Sequence, residues 1–459
     1  MSDTNEYRWD CHPEAETLLR SYLFKCCESN EDILRLQKDL LKKTSTDLFH
    51  WVDHFIIGHD SQAEKDLRNL GFKADDAGSS YRVFRHYGAM FPAIVLQDSE
   101  IPKVAGVGVK VDDIHDFLQV QGYDAEVEGA PFSAFRRSCV SSKGGVTLWV
   151  VERRGSLTME PSYPERGHIE TYFAAKELWK KRYRETVPEL EEECMYRTME
   201  LAEELVQMLG KDMAAHVVME CEREYWQARN YAAQVQKGRQ DSVGVGWANH
   251  DHHTFRSSRR FMRHLVRTME ILGFHCREGF HAGEQAGWGA QVVENWNCGV
   301  TCFLDLDMDP EEVDTDYSSE PLEELDHLRT VGLWCALHGD SLLRGGMHHL
   351  ECKFRYEVLE DDLASHGIEM MSPFANLPYL KQGFTKGEVW KIEPQRVEWL
   401  LNKQLITEEQ GFEFLKNGAV GSHLENLERK SGYKGFSQSS VSDIMQRLDP
   451  RLESSKKSK

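Results

Sequence analysis

A chain of 459 residues with 40% apolar and 29% charged side chains is long enough for two or three units of ordinary domain size and carries enough apolar residues to fill their cores, which excludes global disorder. Acidic side chains outnumber basic ones 76 to 55, and the resulting net charge of -21 argues against a surface built to track nucleic-acid phosphates. The polar, acidic start MSDTNEYRWDCHPE has no secretory pattern, no stretch is long and apolar enough to span a bilayer, and eleven scattered cysteines without a CxxC pair read as reduced thiols. The expectation is a cytoplasmic protein that binds neither nucleic acid nor membrane and is compatible with a homo-oligomer.

Residues 15–50 carry a helical spacing, with Ile33, Leu36, Leu40 and Leu41 on one face. Next comes a β-rich run from Val52 to Ile57, a polar turn, and a helix that stops at Gly71, followed by the strand candidates YRVFRHYG and FPAIVLQD. The same opening returns in VAGVGVKVDDIHDFLQVQGY, with AFRRSCV and GVTLWVVER after it. Residues 172–236 follow as a charged helical stretch with Leu190, Met195, Met199, Leu201, Leu205 and Met208 at amphipathic spacing. Two further copies of the opening are DHHTFRSSRRFMRHLVRTMEILGF and MHHLECKFRYEVLEDDLASHGIEMM, so the chain reads as an internal repeat. The segment PQRVEWLLNKQLITEEQGFEFLKNG after the last opening alternates helical stretches with a stop at Gly418 and is a candidate lid. The Lys- and Ser-rich end reads as a disordered tail.

The resulting organisation is an N-terminal helical segment (1–50), a tandem βαβββ domain (51–160), a helical connector (161–240), a second tandem βαβββ domain with C-terminal helices (241–445) and the tail (446–459). The fold class is α+β. Strand-helix openings followed by several strands resemble the vicinal oxygen chelate superfamily, whose paired βαβββ modules curl into half-open barrels around a metal.

Strand alternation then selects residues. His252, Thr254 and Arg256 share one face of their strand, while His253 and Phe255 share the other. In the last opening, Leu350, Cys352 and Phe354 form the apolar face, leaving His349 with Glu351 and Lys353 on the opposite side. Glu388, in FTKGEVWKI, lies on a late strand candidate of the same unit and is the expected carboxylate partner of His252 and His349. Two neutral imidazoles and one carboxylate leave open positions on a divalent cation, and residue type admits Fe(II), Mn, Zn or Ni. Arg256, four residues beyond His252 and about 13 Å further along the strand, offers a fork for a substrate carboxylate, with Thr254 beside it. Trp288, Trp296 and Trp390 are candidates for an apolar pocket wall.

The HxxxR strand of His252 to Arg256, the HHL opening at His349 and the GEV strand at Glu388 resemble the 2-oxoadipate dioxygenase/decarboxylase family, a branch of the same superfamily. Tyr183 and Arg184 with Val187 and Pro188 resemble its helical lead-in, so the likeness spans residues of about 172–420. It implies His252, His349 and Glu388 as ligands of Fe(II), Arg256 as the arginine that engages the substrate carboxylate, O2 as co-substrate, and a 2-oxo acid that is oxidatively decarboxylated and then hydroxylated. The tandem at 51–160 departs from the family. His54 and Glu152 stand in ligand-like places there, but its second opening has no histidine, so it reads as a degenerate copy with a structural or binding role. Two other functions fit a metal-binding or empty pocket of this kind: a glyoxalase-type lyase or isomerase, and a protein that binds a small molecule without turnover.

Overall fold

The computed structural model describes residues 9–451 except 60, 78–79, 99–102, 185–186, 283–286 and 313; part of the predicted tail, 452–459, lies outside them. Each of the four repeat openings supplies a strand at the middle of a sheet. The first sheet contains β1 (Val52–Gly58), β2 (Lys73–Ala77), β3 (Tyr81–Arg85), β4 (Ala93–Gln97), β5 (Gly106–Lys110), β6 (Phe135–Lys143) and β7 (Val146–Arg153), in the order β2-β3-β4-β1-β5-β7-β6. The second contains β8 (His250–Arg256), β9 (His275–Ala282), β10 (Trp288–Asn295), β11 (Val300–Asp307), β12 (His349–Lys353), β13 (Ala375–Leu377), β14 (Leu380–Phe384) and β16 (Ala419–Arg429), in the order β13-β14-β16-β12-β8-β11-β10-β9, with the short β15 (Glu388–Trp390) paired to β16. Both sheets are open and mixed, and each joins two modules through an antiparallel central pair, β1 with β5 and β8 with β12. This is the tandem-module α+β fold expected from the repeat. The second module departs from βαβββ, since a single bridge between Glu128 and Arg137 stands where its first strand after the helix would be.

The two sheets repeat each other in register. His54 faces Gly108 and Ile56 faces Gly106 in the first, and His253 faces Leu350 and Thr254 faces His349 in the second, with a register shift at the same place in both pairs. Gly106 pairs with Thr147 and Gly108 with Trp149, as His349 pairs with His423 and Glu351 with Glu425. His54 therefore corresponds to His252, Gly106 to His349, Gly108 to Glu351, and Trp149 to Glu425.

Helices cover the outer faces. In Arg259–Ile271 the residues Phe261, Met262, Leu265, Val266 and Met269 make one buried stripe, packed with Phe255, Leu350 and Cys352 and with the helical segment that includes Trp179, Met195, Leu205, Val218 and Trp226. The N-terminal region is two helices, Pro13–Ser29 and Glu31–Thr44, because Asn30 leaves the helical conformation and its side chain accepts a hydrogen bond from the Asp32 backbone N–H. They pack on the first sheet through Leu19, Leu23, Ile33 and Leu36. Strand β2, KADDA, lacks β-branched and aromatic residues and is invisible to pattern; pairing with β3 forms it. Among the described residues no helix is long and apolar enough to cross a membrane.

Candidate metal centre

On the inner face of the second sheet, β8 and β12 bring His252 and His349 together, with ring centroids 5.9 Å apart. The third residue is Glu425 from β16. Its Oε2 lies 2.8 Å from His349 Nε2 and 3.9 Å from His252 Nε2. One ligand atom from each of the three falls within 4.8 Å of the others, and all three side chains are buried. Glu388 is not brought to this place. It sits on the short β15 opposite Ser422, at a register irregularity, and its Oε1 accepts a 2.8 Å hydrogen bond from the Tyr231 backbone N–H at the surface. The predicted carboxylate is thus corrected from Glu388 to Glu425, which pairs with Glu351 through the parallel β12–β16 ladder.

The surroundings fix how the ligand atoms point. Glu351 Oε2 stands against His252 Nδ1, and the other ring nitrogen, Nε2, faces Glu425. His348 and His349 approach through their Nδ1 atoms at 2.9 Å, which again leaves His349 Nε2 facing Glu425. Gln382 Nε2 donates 3.1 Å hydrogen bonds to Oε1 of both Glu351 and Glu425, turning both Oε2 atoms towards the imidazoles. Burial, then the neighbouring His349 and Arg429, hold His252 well below the ordinary imidazole range. Two imidazoles and a carboxylate converging from three strands form a donor set suited to a divalent cation. The unpaired buried atoms nearby, Asp305 Oδ1, Arg256 Nε and His423 Nε2, are further polar positions that a bound group can satisfy.

Arg256 lies further along β8 in a buried position. Its guanidinium packs near Trp334, 5.5 Å from the ring centroid, with Nη2 3.7 Å from Met445 Sδ, and among the described residues it has no carboxylate within ion-pair distance. Asp305, its neighbour across the β8–β11 ladder, has its carboxyl pushed up to about 6 by burial. Thr254 is buried between His252 and Arg256, and its carbonyl accepts from the His348 N–H. The cup is otherwise aromatic: Phe303 and Phe436 stand 4.8 and 4.9 Å from the His252 ring, and Phe384 5.1 Å from His349. Its cover comes from Phe436 and from Met445 on the helix Gln438–Arg447. The candidate lid 394–418 forms two helices that pack instead on Leu333 and Leu337. Of the three tryptophans, Trp288 is buried with Phe303 and Phe436, Trp390 stacks against Arg229, and Trp296 lies beside Tyr87.

Among the described residues the first sheet has no equivalent donor set. His54 Nδ1 is 2.7 Å from Asp53, but Gly106 and Trp149 hold the other two places, and a Cβ at Gly108 would lie 2.3 Å from the His54 ring. Glu152 is on the opposite face, ion-paired with Arg136 and Arg154 and accepting from the Ile114 N–H. The predicted degeneracy extends further than the missing histidine, since Glu152 is removed from the candidate set as well.

No protein-family model matches the sequence. No curated protein matches it either. Among solved structures, it is similar to a methylmalonyl-CoA epimerase from Mycobacterium tuberculosis (11% identity, 40% of this chain and 88% of that one, TM-score 0.23). A variant of 4-hydroxymandelate synthase from Streptomyces coelicolor matches at 13% identity over 89% of this chain and 99% of that one, with a TM-score of 0.26. A putative hydrolase from Shewanella frigidimarina matches at 12% identity over 54% and 97%, with a TM-score of 0.30.

Proposed function

We propose that the chain is an Fe(II)-dependent dioxygenase acting on a 2-oxo acid, with His252, His349 and Glu425 as the metal ligands. The observation that carries this reading is the pairing of that donor set with Arg256, a buried guanidinium on the same inner face that among the described residues has no carboxylate within ion-pair distance. Asp305 and Asp307 attract this buried charge only from beyond ion-pair distance, and a substrate carboxylate is a group that would pair with it directly. His252, His349 and Glu425 would hold the cation, which would supply binding positions for a chelating 2-oxo acid and O2, and loss of CO2 from that substrate would supply the electrons for hydroxylating the remainder.

The protein's own groups have separate tasks in this scheme. Arg256 holds the far carboxylate and Thr254 lines the path between it and the metal. Glu351 and Gln382 hold the ligand orientations. Phe303, Phe384 and Phe436 exclude water, which protects reactive oxygen chemistry from side reactions. Anaerobically purified, iron-loaded protein should consume O2 and release CO2 in equal amounts with a 2-oxo dicarboxylate. Absence of O2 uptake across 2-oxo dicarboxylates and aromatic 2-oxo acids would sink the proposal.

Asp305 favours one alternative, a metal-assisted lyase or isomerase. A carboxyl titrating near 6 is matched to proton transfer at neutral pH. That reading predicts turnover unaffected by removing air and abolished by Asp305→Asn.

A further inference from the structure

A second site lies outside the metal cup, where corresponding ends of the two sheets meet. A cavity of about 280 Å³ is lined there by the repeated trio Asp53, Lys110 and Arg153 from the first sheet and Asp251, Lys353 and Arg429 from the second. The two halves differ at every position of the donor set except His54 and His252, yet they carry the same three charged residues around this cavity.

The charges do not cancel. Arg153 grips Asp53 with two hydrogen bonds of 2.5 and 2.9 Å, and Arg429 grips Asp251 with two of 3.1 Å. Lys434 pairs with Glu294 at 3.0 Å, Arg85 with Asp75 at 2.8 Å, and Glu16 with Arg20 at 2.6 Å. Lys110 has no carboxylate within 4 Å among the described residues, and Lys353 reaches Asp251, already held by Arg429, only at 3.9 Å. Two ammonium groups thus remain over in a half-open cavity of a strongly acidic protein. Burial pushes both below their ordinary value, and Lys353 lowers Lys110 further. His50 adds a buried Nδ1 on the cavity wall that has no hydrogen-bond partner among the described residues. Phe49, Phe91 and Trp296 give the same wall an apolar portion.

We infer that this inter-sheet cavity binds a small dianion, a phosphate monoester or a dicarboxylate, between Lys110 and Lys353, with its carbon body against the aromatic wall. A dianion matches the two uncompensated charges, which a cavity walled by ion pairs already closed on themselves cannot neutralise. Because each half supplies one lysine, the bound ligand tethers the two sheets and stabilises the folded chain by mass action. The inference is independent of the metal chemistry proposed above.

The test uses the full chain with inorganic phosphate, phenyl phosphate and glutarate as probes, followed by calorimetric titration and thermal melting. The wild type should bind one equivalent of at least one probe, with phosphate against glutarate distinguishing the two sources of the dianion. Lys110→Met and Lys353→Met should each weaken binding about tenfold or more, and the double variant should abolish it, with metal content unchanged. Without probe, Lys110→Met should melt at or above the wild-type temperature, since it removes an unpaired charge. In the wild type, the saturating probe should slow acetylation of Lys110 and Lys353. The inference is overturned if no probe binds the wild type, if the double variant binds equally well, if Lys110→Met melts earlier without probe, or if acetylation is indifferent to the probe.

Discussion

Trp149 occupies in the first sheet the place that Glu425 occupies in the second. Trp149 pairs with Gly108 along β5 and β7, as Glu425 pairs with Glu351 along β12 and β16. An indole cannot ligate a divalent cation, and the remaining His54 has no second imidazole opposite it. The chain should therefore take up one metal equivalent, and His54→Ala should leave that stoichiometry unchanged by elemental analysis. A second equivalent lost on His54→Ala would refute the assignment of the first sheet as metal-free.

The two candidate carboxylates separate cleanly. Glu425→Ala removes one of three donors and should lower metal affinity by more than about a hundredfold, beyond what loss of a supporting group produces. Glu388→Ala removes only a surface acceptor for the Tyr231 N–H and should retain full metal content. Competition with a fluorescent chelator measures both.

Gln382 supports two carboxylates at once. Gln382→Leu frees both from their orientation and should weaken metal binding about 10- to 100-fold without removing a ligand. Unaltered affinity in a folded variant would show that the two hydrogen bonds do not position the donors.

Arg256→Met should raise KM selectively for dicarboxylate substrates, with a loss on the order of a hundredfold in kcat/KM, while monocarboxylates are affected little. Metal content should stay constant. An equal loss for both substrate classes would assign Arg256 to packing instead of recognition.

Stability should fall on acidification before ordinary carboxylates titrate. Burial holds His338 down to about 3, where its Nε2 donates to the Val420 carbonyl, and His50 down to about 4. Unfolded imidazoles take up protons from about pH 6.5 downwards while these two remain neutral in the fold, so the unfolded state binds more protons and the fold loses stability as pH drops towards the depressed values. The slope is about 1.4 kcal/mol per pH unit for each histidine. Urea unfolding at pH 7.5, 6.5 and 5.5 measures it, and His338→Gln should remove one histidine's share.

The sequence pattern identifies the inner-face positions of His252, Thr254, Arg256 and His349 because each lies on a regular strand whose other face carries Phe255 or Leu350. Glu388 misleads for a physical reason: its strand has three residues, pairs only with β16 and is irregular at Glu388 itself, so alternation does not determine where the carboxylate points. Strand β16 escapes notice because SHLENLER buries His423, Glu425 and Arg429 among its apolar residues, and the usual contrast between polar and apolar faces is lost. The internal repeat contains the missing signal. Aligning VTLWVVER with SHLENLER places Arg153 on Arg429 and points to residue 425.

Strand β16 comes last in sequence among the strands of its sheet, yet it inserts between β12 and β14 instead of adding to an edge. A partly folded chain with β8 and β12 already paired would present two imidazoles without the Glu425 carboxylate, and the hydrogen-bonding edge of β12 would stay unpaired until a segment some seventy residues downstream arrives. Such late, non-local pairing is slow. The rate at which the refolding chain captures metal thus becomes a clock for the docking of its final strand, and added cation selectively retains the chains that have completed that step.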